Sequence, residues 1–181
     1  KKMYLDTQSM KKNQKKVALI LTILILNFLI NINMASIIQQ TDKIIYKNNP
    51  GNLERAGYAG ETDEGYGDNN RFPIYDSPVM GVRALLYDLN VKKNRYDGDV
   101  RKILQQYAPE NENPNLENYI KFVEESLDNK PVTSDNIADM AKAIITFENQ
   151  EIPDLVSYYL DDPKIMDEAL KLYRTDLPSD Y

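Results

Sequence analysis

The sequence predicts a mainly α fold: a small helical domain of the α+β type with a long irregular Gly/Asn-rich segment and short strands, preceded by an N-terminal hydrophobic helix. Three observations predict it. From residue 77 onward apolar residues recur three and four positions apart, in series that open on Asp, Asn or Ser. Residues 47–76 hold five of the seven glycines, with Asn and Pro among them, and show no helical period. Residues 17–30, "VALILTILILNFLI", carry no charge.

The apolar run comes first in the chain. Met3, Met10 and Met34 are all candidate starts. Read from Met10, "MKKNQKK" is a basic n-region, and the fourteen-residue run behind it suits a secretory signal while falling short of a bilayer span of about 20 residues. Cleavage is then expected near "NMAS". A signal-anchor is the alternative, with membrane insertion through residues 17–33 and the four preceding Lys on the cytoplasmic side. A start at Met34 is the third. Residues 1–35 therefore read as a leader, 36–46 as a linker, 47–175 as the domain and 176–181 as a tail.

Within residues 47–76 only "RFPIY" (71–75) and "NLERA" (52–56) suggest strands, and both are short. Thirty residues without helix is long for a connection. Tyr58, Tyr66, Phe72 and Tyr75 argue for an ordered wall beside the helical body, with Phe72 and Tyr75 against the first helix. The cluster Glu61, Asp63, Glu64 and Asp68 lacks the twelve-residue calcium-loop spacing and reads as solvated charge, so no metal and no cofactor is expected.

Four or five helices are expected after residue 77. The first has Asp76 or Ser77 as N-cap, Pro78 in its first turn and Val79, Val82, Leu85, Leu86 and Leu89 on one face. Asp99 opens the second, with Val100, Ile103, Leu104 and Tyr107 inward. Asn113 or Asn115 opens the third, burying Leu116, Tyr119, Ile120, Val123 and Leu127. Ser134 precedes the fourth, and Asp162–Pro163 opens the last.

Composition excludes whole classes of chemistry. With no Cys and no His, thiolate nucleophiles, imidazole bases and Cys/His zinc sites are impossible. Residues 36–181 hold 16 basic and 27 acidic side chains, a net of −11, which repels phosphate backbones, so no nucleic-acid partner is expected.

Glu148 is the candidate catalytic residue. The stripe Ile137, Met140, Ala141, Ile144, Ile145 continues to 147 and 148, because eleven residues at 100° each return to within about 20° of Ile137. A carboxylate on the inward side, at the negative end of a helix dipole, is poised to hold a proton as a general acid. The alternative is a structural carboxylate that pairs with Arg83 or caps amides of the "NNPGN" loop. That loop is expected to cross the end of Glu148's helix, with Gly supplying left-handed backbone. Asn49, Asn52, Tyr58, Tyr75, Arg83, Tyr107 and Asn113 are the accompanying substrate-binding candidates; Asn49 and Asn52 also suit their own turn, Asn113 a helix cap, and Arg83 a loop-tying ion pair.

The motifs "NNPGN", "YAG", "FPIYDSPVMGVRAL", "YAPENENP" and "AIITFEN", in this order over residues 47–153, resemble small tailed-phage and prophage proteins of the virion structural type. The "NPGN" portion is also similar to lysozyme-like glucosaminidases and transglycosylases. The resemblance implies a lysozyme-like domain, a virion location, and other virion proteins or peptidoglycan as partners. Exported or membrane-anchored interaction domains are the further alternative if the leader is translated. The chain departs from the pattern at Tyr58 and Tyr107, where the family has Trp, at Leu53–Glu54 for Ile-Arg, and at Phe147, Gln150 and Asp154 for His, Gly and Tyr.

Overall fold

The computed structural model describes residues 10, 15–32 and 47–176. The expected cleavage stretch at 33–36, the linker 36–46 and residues 177–181 of the tail lie outside them. The chain divides into two compact units, Lys1–Asp42 and Lys43–Tyr181.

The first unit contains helix α1, Lys15–Ile32, 18 residues with a mean hydropathy of 1.9 and none of it buried. Leu, Ile, Val and Ala fill it. Thr22 spends its hydroxyl on the Ala18 carbonyl at 2.9 Å, and Asn27 and Asn31 are the other uncharged polar side chains of the helix. At 1.5 Å per residue it is about 27 Å long, near the thickness of a bilayer's hydrocarbon layer. Its length and composition are compatible with a signal sequence or a membrane anchor.

In the second unit, strands β1 (Glu61–Tyr66) and β2 (Phe72–Tyr75) form an antiparallel hairpin, followed by helices α2 (Pro78–Arg95), α3 (Val100–Tyr107), α4 (Leu116–Ser126), α5 (Ile137–Glu148), α6 (Pro153–Leu160) and α7 (Pro163–Asp176). The mainly α class with short strands is what the sequence predicts. Six helices stand where four or five were expected. The addition is α6, whose eight residues bury only Leu155 and Tyr159.

One strand differs from expectation. β2 forms as predicted and pairs with β1, whereas "NLERA" forms no strand. Glu61 faces Tyr75, Gly65 faces Pro73 and Tyr66 faces Phe72, with a register shift between Glu61 and Gly65. Glu61 is structural: its Oε1 accepts from the Ala56 and Tyr58 amides at 3.1 and 3.0 Å.

Helix α2 is the centre of the body, packing against α3, α5, α7 and β2. Its start is chemically specified: Ser77 Oγ accepts from the Met80 amide and Pro78 occupies the first turn. Val82, Leu85, Leu86 and Leu89 are fully buried, and they meet Ile103 and Leu104 of α3, Tyr119, Ile120 and Val123 of α4, and Met140, Ile144 and Ile145 of α5 in one core. Tyr75 is 1% exposed and joins it. Phe72 stacks on Tyr66 at a centroid distance of 5.3 Å.

The Gly/Asn segment is tied to this body by small residues. Gly81 of α2 faces the loop so closely that a Cβ there would lie 1.7 Å from the Asn48 carbonyl oxygen. Gly51 serves the same end: its Cβ would stand 2.6 Å from the Tyr107 hydroxyl and 3.0 Å from Leu85 Cδ1. The left-handed positions of "NNPGN" are Asn48 and Asn52, with φ of 50° and 49°. The expectation that Gly supplies them is corrected: Asn, which tolerates that region through local hydrogen bonding, does so, and Gly51 is there for close approach.

Candidate functional site

The loop's own side chains build it first. Asn49, buried, accepts at Oδ1 from the Leu53 amide at 2.9 Å and donates to the Leu53 and Pro73 carbonyls at 2.9 and 3.2 Å. Asn48 donates to the Tyr75 carbonyl at 2.9 Å. These bonds fasten the loop to β2 and leave its far side facing α5.

There Asn52 Nδ2 donates to Glu148 Oε2 at 3.0 Å, and Asn52 Oδ1 accepts from the Tyr66 hydroxyl at 3.0 Å. One residue on, the buried Asn149 donates to the Pro50 carbonyl at 2.8 Å and to the Ile145 carbonyl at 2.7 Å. The second bond satisfies an orphan carbonyl of the last α5 turn; the first binds that turn to the loop. Tyr107, from the end of α3, donates its hydroxyl to the Gly51 carbonyl.

Glu148 is half-buried and stands where two clefts meet. The larger, about 650 Å³, is lined by Asn52, Arg71, Asp88, Tyr107, Asn113 and Glu148 among others. The smaller, about 280 Å³, is lined by Asn49, Asn52, Tyr66, Phe147 and Glu148 among others. Beside the carboxylate lie three phenols. Tyr66, Tyr107 and Tyr119 all have their hydroxyls pushed upward in pKa, by burial first and by the Glu148 charge second or third. They therefore remain neutral, and the hydroxyls of Tyr66 and Tyr107 donate, to Asn52 and to the Gly51 carbonyl. Phe147 stacks on Tyr119 at 3.9 Å, nearly parallel, which fixes the aromatic flank.

The floor of the larger cleft carries a second acid. Asp88 on α2 accepts at Oδ1 from the Tyr58 hydroxyl at 2.9 Å and from Lys92. Its mouth is crossed by Arg71, which bonds both Glu54 and Glu112.

Of the sequence candidates, Asn52, Tyr107, Asn113 and Glu148 line the larger cleft, and Asn49 the smaller. Asn113 also accepts from the Asn115 amide at 3.0 Å. Tyr58, Tyr75 and Arg83 line neither. Tyr58 acts through Asp88, Tyr75 is core, and Arg83 pairs with Asp176 at the end of α7 through Nε at 2.8 Å. The partners that sequence reasoning missed are Tyr66, Asp88, Tyr119 and Asn149. Asp88 had a signal, a carboxylate set among Leu85, Leu86 and Leu89 of the apolar series; Asn149 stands in the quoted "EN" pair.

No protein-family model matches this chain, and no curated protein does.

Proposed function

We propose that this is a phage- or prophage-derived virion-associated structural protein, with other virion proteins or peptidoglycan as its partners. One observation supports it: the separated segments that carry the resemblance meet at one place. Gly81 of "GVRAL" lies under Asn48 of "NNPGN", Tyr107 of "YAPEN" holds Gly51, and Glu148 and Asn149 of "AIITFEN" hold Asn52 and Pro50. Bonds between loop carbonyls and buried side chains fix a shape, which is what an assembled particle requires of a subunit. The test is location: antibody to residues 47–176 should find the protein in purified tailed particles released from cells that carry the gene, and recovery solely from cell membranes, where α1 would hold it, overturns the proposal.

A peptidoglycan-cleaving enzyme is the second reading, favoured by the position of Glu148 between the two clefts. A glycan strand laid through both would bring a glycosidic oxygen to this carboxyl, which in its protonated form passes the proton to the leaving oxygen as the C–O bond breaks, with water or a sugar hydroxyl completing the reaction. Muropeptide release by the purified chain, abolished in Glu148→Gln, would establish it; equal turbidity curves for the chain, the variant and buffer dismiss it.

A further inference from the structure

We infer that the loop Pro109–Asn113 is a lid on the larger cleft, latched by Arg71 and released as Arg71 lets go of Glu112. Arg71 and its surroundings belong to the hairpin side. Its carbonyl accepts from the Arg55 amide at 2.9 Å, its guanidinium lies 5.2 Å over the Phe72 ring, and it bonds Glu54 of the loop preceding β1. Glu112 is on the other wall, between α3 and α4, and reaches the same Nη2 at 2.5 Å.

The loop is built to move as a piece. Its turn is closed by its own bonds, with the Glu112 and Asn113 amides both on the Pro109 carbonyl at 2.9 Å, and it hinges on the start of α4, where the Leu116 amide donates to the Asn113 carbonyl at 3.1 Å. Pro109, Glu112 and Asn113 line the cleft, so displacement of the loop widens it toward Tyr107 and Glu148.

The energetics favour a latch over a permanent clamp. Both carboxylates are close to half-exposed or more, and ion pairs of that kind are weak and screened by salt. Releasing Glu112 strands no charge, because Arg71 keeps Glu54 and Glu112 passes into water. The two partners of Arg71 thus have different roles, Glu54 seating the guanidinium and Glu112 closing the lid.

The chain lacks cysteine, so spin labels can be placed without background at Asn111→Cys on the lid and Asp68→Cys on the hairpin. Pulsed electron-spin distances in the full chain in detergent micelles should give one narrow distribution at low ionic strength. At about 1 M salt, where screening acts within about 3 Å, a longer second distribution should appear. Glu112→Gln should show it already at low salt, and Glu54→Gln should not. An unchanged single distance in high salt and in Glu112→Gln overturns the latch, as does equal opening in the two variants. The measurement uses no ligand, so its outcome is independent of whether the protein proves structural or lytic.

Discussion

Asn52 and Glu148, 96 positions apart, are joined at 3.0 Å, the amide of the first donating to the carboxylate of the second. The bond places the end of α5 against a left-handed residue of the loop, since Asn52 has φ of 49°. The side chain that tolerates this backbone is also the one that reaches across.

Glu148→Gln should leave stability within about 0.5 kcal/mol of the parent, because an amide oxygen still accepts from Asn52. Glu148→Ala should cost about 1 kcal/mol, a modest loss since Asn52 then turns to water. Asn52→Ala should cost more, about 2 kcal/mol, by losing two bonds and placing Ala in left-handed backbone. Asn52→Gly separates the two terms by restoring the backbone alone. Urea midpoints at neutral pH decide the order.

Gly81→Ala should be the most damaging of the small changes. Its Cβ meets a backbone oxygen at 1.7 Å, which no side-chain rotation relieves, so either α2 or the loop must shift. A cost of about 3 kcal/mol is expected, with raised amide exchange at residues 47–56. A midpoint within 1 kcal/mol of the parent would mean that the loop is not seated on α2.

How much of this was legible depends on range. The starts of α2, α3 and α7 were readable because Ser77, Asp99 and the Asp162–Pro163 pair act on amides within a turn of themselves. Glu148's place was readable too, since helical geometry carries the Ile137 stripe to it. β1 was not, because Glu61, Asp63 and Glu64 look like solvated loop until Tyr75 and Phe72 are seen opposite. Arg83 carries no mark of its partner Asp176, 93 positions away. Gly51 reads as a turn residue because its partner, Tyr107, stands at the end of a helix that only tertiary packing brings near.

Asp99 gives a pH dependence. The Lys102 amide, and beside it the Lys102 ammonium, hold its carboxyl below the usual carboxylate range in the folded chain. A depressed value means that the stabilisation is present above the ordinary range, near pH 4, and is lost as pH falls through the folded value. Asp99→Ala should cost about 1 kcal/mol at pH 7, the usual worth of an N-cap. The gap between parent and variant should shrink as pH falls from about 5 to 2. Asp99→Asn, which caps without titrating, should give a difference from Asp99→Ala that does not change over that interval.

The contact of Gly51 with Tyr107 predicts a coupling. Tyr107 donates to the Gly51 carbonyl, and the same hydroxyl is the nearest atom to a Cβ built at residue 51. Tyr107→Phe alone should cost about 1 kcal/mol by leaving that carbonyl unpaired. Gly51→Ala alone should cost about 2 kcal/mol, because the new methyl group pushes against a hydroxyl held in place by its own hydrogen bond. In the double variant the hydroxyl is gone, and the next nearest atoms are the Leu85 methyls, at 3.0 and 3.2 Å, whose rotamer can yield. The two costs should then fall short of additive by about 1 kcal/mol, measured as a double-mutant cycle in urea. Strict additivity would place the steric limit at Leu85 instead, and Gly51→Ala with Leu85→Val would then be the pair that couples.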